Sequence, residues 1–319
     1  MGVSKSAFVF PGQGSQQVGM LQELVNELPI VAQTFAEASE VLEYDLWQLI
    51  SEGPQERLNL TEQAQPALLT ASVALWRAWL AHSSARPDFL AGHSLGEWSA
   101  LVAAGVVNFT DAVKLVRLRG RYMQEAVPQG VGAMAAILGL DDPKVQQACV
   151  QAKELGIVVP VNFNSPGQVV IAGEVAAVEA AMTACSELGA SRAMLLPVSA
   201  PFHTVMMKPA AERLALDLAE VVFSAPTIPV VHNLTAQPEV DPVVIKTLMI
   251  EQIYAPVRWV ESIQYIVDQG VEIFVEIGPG RVLSGLNKRI HKGLTSLNTD
   301  DLSRWQAALA HFQPSVSTI

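Results

Sequence analysis

The segment 89–96 constrains the fold more than any other part of this chain. Its first residues, Phe89-Leu90-Ala91-Gly92, are apolar or small and are typical of a buried strand. After His93-Ser94-Leu95-Gly96 a helical pattern begins and continues to 104. Glycine two residues before and two residues after Ser94 lets a strand and a helix approach without a clash of Cβ atoms. We therefore predict a sharp strand-to-helix elbow with Ser94 at its tip.

Short apolar runs and helical patterns alternate on both sides of this elbow. A run at 7–10 ends in the glycine-rich turn Pro11-Gly12-Gln13-Gly14-Ser15 and precedes a helix, which repeats the strand-loop-helix order. Further helices are predicted at 31–50, 64–81, 111–126, 206–220, 243–251, 256–269 and 281–290, and further strands at 228–232 and 272–276. Buried strands alternating with helices indicate the α/β class, with an α/β-hydrolase-like parallel sheet.

The pattern changes between 129 and 197. There the chain predicts strand 131–138, helix 142–154, strands 157–163 and 168–173, helix 174–188 and strand 191–196. This β-α-β-β-α-β order is that of a ferredoxin-like unit, and it is small enough to be an insertion. We predict a large subdomain made of 1–128 and 198–319 and an inserted ferredoxin-like subdomain at 129–197.

Composition excludes several classes of function. The chain has 319 residues, of which 50% are hydrophobic, enough to bury a large core. Its 20 basic and 31 acidic residues give a net charge of -11, so we expect no nucleic-acid partner. No apolar stretch reaches the ~20 residues of a membrane span, so we expect no membrane partner. We expect a cytoplasmic protein, and we give no weight to the glycosylation sequons at Asn59, Asn108 and Asn233.

The cysteines do not indicate a disulfide or a metal site. Only Cys149 and Cys185 occur, each inside a predicted helix and without a neighbouring Cys or His at ligand spacing. We predict two buried free thiols, no metal and no cofactor.

Ser94 is the candidate nucleophile. A serine at the start of a helix faces unpaired amides and the positive end of the dipole, which would stabilise an oxyanion during acyl transfer. The alternative is a serine that only caps the helix. Among the histidines, His93 is expected to hold the turn, His203 follows a proline-containing loop, and His291 lies late in the chain as in α/β-hydrolases. The residues alone leave His203 and His291 open as the base.

Several fragments together resemble the malonyl-CoA:acyl carrier protein transacylase family of bacterial fatty acid and polyketide synthesis. They span nearly the whole chain in the family's order. The fragments are 8–16, 92–97, Arg119-Gly120 with Met123, 162–167, 201–203, Gln252 with Pro256-Val257, and 276–280. The resemblance implies an acyltransferase that acts as a discrete enzyme.

This resemblance assigns roles to the catalytic residues. It implies that Ser94 is the acyl nucleophile and that His203 is its general base. The backbone amides of Gln13 and Leu95 would form the oxyanion hole. The main-chain carbonyl of Gln252 would accept a hydrogen bond from the other imidazole nitrogen, so that the unit is a dyad without an acidic member.

The resemblance also assigns substrate-binding residues. Arg119 would bind the free carboxylate of malonyl, although by sequence alone it could equally be a solvated helix arginine beside Arg117 and Arg121. Met123, Asn162 and Gln252 are implied to line the same site. Phe202 resembles the aromatic residue of malonyl-selective members, where members that accept a branched unit often carry serine. We therefore expect malonyl to be preferred over methylmalonyl.

The implied reaction is a ping-pong transfer of malonyl from malonyl-CoA to the phosphopantetheine thiol of acyl carrier protein, for fatty acid synthesis. Carrier proteins are acidic, so docking needs a local basic patch. The cations Lys288, Arg289 and Lys292 form the densest one, although they could equally serve only to complement the end of helix 281–290. We expect a monomer.

Other functions stay open on sequence grounds. One is a discrete acyltransferase of a polyketide pathway. Another is a serine thioesterase or esterase using Ser94, Asp268 and His291. A third is a non-catalytic module that docks a carrier protein and has kept the fold, which the intact Ser94, His203, Arg119 and Gln252 disfavour.

Overall fold

The larger of two β-sheets is parallel throughout. The computed structural model describes residues 4–198 and 200–313. Its first sheet has five strands in the order β7-β2-β1-β8-β9. They are β1 (Lys5–Phe10), β2 (Phe89–Gly92), β7 (Val230–Val231), β8 (Val271–Glu276) and β9 (Thr295–Asn298).

Helices cover both faces of this sheet. The helices before the inserted unit are α1 (Gln22–Glu27), α2 (Pro29–Leu42), α3 (Leu46–Glu52), α4 (Gln55–Leu58), α5 (Thr61–His82), α6 (Leu95–Ala103) and α7 (Phe109–Glu125). After it they are α10 (Lys208–Ala219), α11 (Pro242–Glu251), α12 (Trp259–Asp268), α13 (Val282–Ile290) and α14 (Leu302–His311). On the central strand β1, Phe8 packs in one core and Val9 in the other, and both are fully buried. Burial on both faces explains why β1 is a continuous apolar run.

The second sheet is antiparallel and lies within the inserted segment. Its strands β3 (Gly132–Leu138), β4 (Val158–Ser165), β5 (Gln168–Glu174) and β6 (Arg192–Leu195) pair in the order β4-β5-β3-β6. Helices α8 (Asp142–Ala152) and α9 (Val175–Glu187) complete the β-α-β-β-α-β order. This is the strand order of a ferredoxin-like unit.

The two central strands of the antiparallel sheet, β3 and β5, are buried on both faces. On β3, Ala135 and Ile137 pack with the residues of α8 and α9, whereas Met134, next to Ala135, belongs to the core of the large unit. Alternate residues of a strand point to opposite faces, so one strand contributes to two cores. The subdomain boundaries 1–128, 129–197 and 198–319 stay a proposal, which the separate core formed by β3, α8 and α9 supports.

The predicted α/β class with a separate small antiparallel sheet is confirmed. The single helix predicted at 31–50 is wrong, because Glu43 adopts a left-handed conformation (φ 62°) and Asp45 caps a new helix by accepting from the amide of Gln48. The sequence interpretation also missed β9 and α14. Within the described residues no helix is long and apolar enough to cross a membrane.

Candidate active site

Ser94 lies in a strained elbow between β2 and α6. Its backbone has φ 51° and ψ -105°, a conformation that costs a residue with a side chain about 1–3 kcal/mol. A Cβ atom on Gly92 would lie 1.9 Å from the carbonyl carbon of Gly96, and one on Gly96 would lie 2.0 Å from the carbonyl oxygen of Phe10. Neither position has room for a side chain, so the glycines let β1, β2 and α6 meet and hold Ser94 at the tip.

His203 is the histidine that the structure brings to Ser94. Its Nε2 lies 2.8 Å from Oγ of Ser94, and its side chain is almost fully buried. Its Nδ1 faces the main-chain carbonyls of Gln252 at 2.9 Å and Ala255 at 3.1 Å. Because carbonyls only accept, Nδ1 carries the proton and Nε2 is left to accept the hydroxyl proton of Ser94.

The surroundings of His203 favour the neutral imidazole. Burial, and then the positive charge of Arg119, lower the pKa of His203 to about 3, against an ordinary value of 6.5. The hydrogen bonds to Gln252 and Ala255 act in the opposite direction and are weaker. At neutral pH the ring is therefore in the form that can take a proton.

Arg119 is a buried cation, not a solvated helix residue. Its side chain is 1% exposed, and its pKa is lowered to about 10 by burial, so it remains charged at neutral pH. Nη1 donates to Oε1 of Gln65 at 2.8 Å, while Nη2 donates to Oγ of Ser94 at 3.2 Å and to Oε1 of Gln252 at 3.0 Å. The guanidinium thus lies beside the hydroxyl that would carry an acyl group.

A cavity of about 450 Å³ opens above Ser94 between the two sheets. Met123 and Phe202 line it from the large unit, and Asn162 lines it from β4. Two buried polar atoms at this site have no hydrogen-bond partner among the described residues, Nε of Arg119 and Oδ1 of Asn162. Burying such groups is unfavourable, so an occupant with polar atoms would be stabilised here.

The loop after β1 packs directly against the elbow. A Cβ atom on Gly12 would lie 2.4 Å from the carbonyl oxygen of His93, so the two turns touch. Gln13 and Leu95 both line the cavity, and Leu95 is the first residue of α6. The oxyanion role of their amides stays a prediction, which their place in the lining of the cavity at Ser94 supports.

His93 holds the elbow rather than facing Ser94. Its backbone amide donates to the carbonyl of Phe10 at 3.1 Å. Its Nε2 lies 2.7 Å from Oδ1 of Asn164 on β4, and its ring packs against Trp259. The side chain therefore joins the elbow to the inserted unit.

Four residues around Ser94 were not predicted as site residues. They are Gln65, Glu97, His232 and Asn233, all buried. Asn233 follows β7, so its place at the carboxyl end of a parallel strand next to β2 was a usable signal. Gln65 carried no signal, since it lies inside an apolar helix.

The residues of the alternative hydrolase triad do not come together in the structure. His291 and Asp268 are exposed and lie at the C-terminal ends of α13 and α12. Ser94 is within hydrogen-bond distance of His203 instead.

A serine hydroxyl within hydrogen-bond distance of an imidazole and a guanidinium is suited to acyl transfer through a serine ester, and the chain is an acyltransferase. Residues 7–307 match the model of the acyl transferase domain family, and the chain belongs to this family.

Malonyl transacylases are among the proteins that this chain resembles over nearly its full length. The malonyl CoA-acyl carrier protein transacylase of Salmonella typhimurium is 56% identical over 96% of this chain and 99% of its own length. The crystal structure of an acyl carrier protein S-malonyltransferase from Vibrio cholerae has a TM-score of 0.94 at 56% identity, over 96% of this chain and 100% of the other. A malonyl-transacylase in complex with its type II polyketide acyl-carrier protein has a TM-score of 0.95 at 53% identity, over 97% and 100%.

Proposed function

We propose that this chain transfers the malonyl group from malonyl-CoA to the phosphopantetheine thiol of acyl carrier protein, through a malonyl ester of Ser94. The observation that carries the proposal is the buried guanidinium of Arg119, which lies 3.2 Å from Oγ of Ser94. Names of the relatives and a solved complex with a carrier protein support it. The product would supply extender units for fatty acid synthesis.

In the first half-reaction Ser94 takes the acyl group. His203 accepts the hydroxyl proton at Nε2 while Oγ attacks the thioester carbonyl carbon. The resulting oxyanion would be stabilised by the amides of Gln13 and Leu95. The carbon–sulfur bond then breaks, and the CoA sulfur leaves as the thiol with the proton from His203.

The second half-reaction reverses these roles. His203 takes the proton of the carrier's phosphopantetheine thiol, and the thiolate attacks the ester carbonyl. Ser94 leaves as the alkoxide and regains the proton from His203. The low pKa of His203 disfavours a long-lived imidazolium beside Arg119, so the base gives up its proton readily to either leaving group.

Arg119 gives the site its preference for a carboxylated acyl group. Nε has no partner among the described residues, and Nη2 donates to Oγ of Ser94, the atom that would carry the acyl group. Once Oγ is esterified, a planar carboxylate on the acyl group can replace Oγ as the acceptor of Nη2 and receive a second, parallel N–H bond from Nε. Burial strengthens these bonds, because little water competes for the charge.

A polyketide carrier is the second candidate acceptor. It is favoured by one observation, the similarity to a malonyl-transacylase in complex with a type II polyketide carrier protein. We further propose a cytoplasmic enzyme without a cofactor, since Ser94 and His203 suffice for acyl transfer and both cysteines are free thiols. The monomeric state stays a prediction.

Mass spectrometry of the intact protein tests the proposal. The protein is mixed with malonyl-CoA, and phosphopantetheinylated carrier protein is then added. We expect a malonyl adduct that forms on the wild type and moves to the carrier.

Two variants serve as controls. Ser94→Ala should give no adduct, whereas Ser99→Ala should behave as the wild type, since Ser99 is another buried serine of the same helix. Free malonate without a loaded carrier would indicate a thioesterase instead, and carrier binding without any adduct would indicate a docking module.

A further inference from the structure

A buried carboxylate lies beneath the elbow, and the reaction described above does not use it. Glu97 is on the first turn of α6 and is 1% exposed. Its Oε1 lies 2.7 Å from Nδ1 of His232, and its Oε2 accepts from the amide of Asn233 at 3.1 Å and from Nε2 of Gln252 at 2.7 Å. A carboxylate is costly to bury, so its retention here calls for a reason.

His232 contacts Glu97 only through Nδ1. It is fully buried, and its Nε2 has no hydrogen-bond partner within the described part of the chain. The cation that faces Glu97 across a single side chain is Arg119.

Gln252 joins the two charges. Its Nε2 donates to Glu97 at 2.7 Å and to the carbonyl of Ser94 at 3.0 Å, and its Oε1 accepts from Nη2 of Arg119 at 3.0 Å. The reverse orientation of the amide would place its oxygen against a carboxylate and its NH2 against a guanidinium. Glu97 and the carbonyl of Ser94 together favour the amide orientation that turns Oε1 of Gln252 towards Nη2 of Arg119, and Glu97 is the charged member of the pair.

A second arm runs from Glu97 to the nucleophile. The backbone of Asn233 donates to Glu97, and its side chain accepts from the amide of Ser94 at 2.7 Å and donates to the carbonyl of Gly92 at 2.7 Å. These bonds hold the strained backbone of Ser94 from below. One carboxylate is therefore connected both to the backbone of Ser94, through Asn233, and to the guanidinium of Arg119, through Gln252.

We propose that Glu97 is a positioning residue that sets the selectivity of the enzyme for carboxylated acyl groups, by aligning Arg119 with Ser94 through Gln252 and Asn233. This inference rests on the proposed function. An uncharged acetyl group makes no use of Arg119. Misaligning the guanidinium therefore slows malonyl loading more than acetyl loading, whereas a general loss of folding slows both equally.

The test compares loading of Ser94 from malonyl-CoA and from acetyl-CoA, as kcat/KM measured by rapid quench and intact mass. In Glu97→Gln the carboxamide keeps the shape but removes the charge that orients Gln252. We expect the malonyl-to-acetyl ratio to fall on the order of 10- to 100-fold, as for a lost hydrogen bond to a charged group. Glu276→Gln is the control, since Glu276 is also a buried carboxyl group that accepts backbone N–H groups, and it should leave the ratio unchanged.

A second variant keeps the test decisive if Glu97→Gln does not fold. Gln252→Met preserves the length of the side chain and the backbone carbonyl used by His203, but breaks the connection to Arg119, and it should lower the ratio similarly. An unchanged ratio in a folded variant, or an equal loss for both donors, would overturn the role of Glu97. Failure of the wild type to load malonyl would instead overturn the proposed function.

Discussion

Removal of the Arg119 guanidinium should lower kcat/KM for malonyl-CoA much more than kcat/KM for acetyl-CoA. In Arg119→Ala the carboxylate of a bound malonyl group loses two charge-assisted hydrogen bonds, each contributing about 1.5–3 kcal/mol in a buried site. Two such bonds amount to roughly 3–5 kcal/mol, since the vacated space admits some water. At about 1.4 kcal/mol per factor of ten, kcat/KM for malonyl-CoA should fall by roughly 10²- to 10⁴-fold.

Acetyl-CoA provides the internal reference, because acetyl has no carboxylate to bind. Its kcat/KM should change by less than about 10-fold, so the preference for malonyl should nearly disappear. Arg121→Ala is a matched control on the same helix, since Arg121 is exposed and stacks on the ring of Tyr122. Unchanged malonyl loading in Arg119→Ala, with acetyl loading still poor, would refute the carboxylate contact.

The same variant makes a second prediction, about pH. The charge of Arg119 lowers the pKa of His203, so its removal should raise that pKa from about 3 towards, but not up to, 6.5, because burial remains. His203 acts as a base only when unprotonated. The acid limb of kcat/KM for acetyl-CoA should therefore move to higher pH, and a limb that stays in place would contradict the electrostatic link.

Three further predictions concern the rest of the molecule. Phe202→Ser should raise kcat/KM for methylmalonyl-CoA relative to malonyl-CoA by about 10-fold, since a steric contact is worth about 1–3 kcal/mol; no change would show that the ring does not exclude the methyl group. Burial raises the pKa of Glu276 to about 7 from 4.5, so the folded state holds its proton where the unfolded state has lost it. The free energy of unfolding should then fall as pH rises from about 4.5 to 7, and urea unfolding should show a flatter pH dependence for Glu276→Gln than for the wild type. Equal pH dependence in the two proteins would contradict the raised pKa of Glu276. Reversing the charge at Lys288 and Arg289, exposed near the end of α13 beside Gln168 of β5, should raise KM for carrier protein but not for malonyl-CoA, and an unchanged KM would exclude this docking surface.

Local patterns were sufficient for much of the fold. Apolar runs predicted the central strands because a strand buried on both faces needs no polar residue, and β1 is such a strand. The β-α-β-β-α-β order from 129 to 197 likewise followed from the sequence alone. The end of α2 at Leu42 did not follow from the sequence, because the left-handed conformation there is adopted by Glu43 and not by a glycine, the residue that usually indicates such an end.

The sequence by itself determined the elbow. Gly92 and Gly96 permit a close turn between the apolar run and the helical pattern that flank them, and this predicted Ser94 at its tip. The choice of His203 over His291 and the role of Arg119 came from family resemblance, since their residue types alone left the alternatives open.

Only the tertiary structure decided which polar groups support Ser94. Gln252 is 158 positions from Ser94, yet it donates to the carbonyl of Ser94 and accepts from Arg119. Glu97 and Asn233 are likewise joined across 136 positions. The local sequence pattern indicates which segments form helices or strands and which of their faces is buried. A buried hydrogen-bond network depends instead on which distant segments the sheet brings together, and long-range packing decides that.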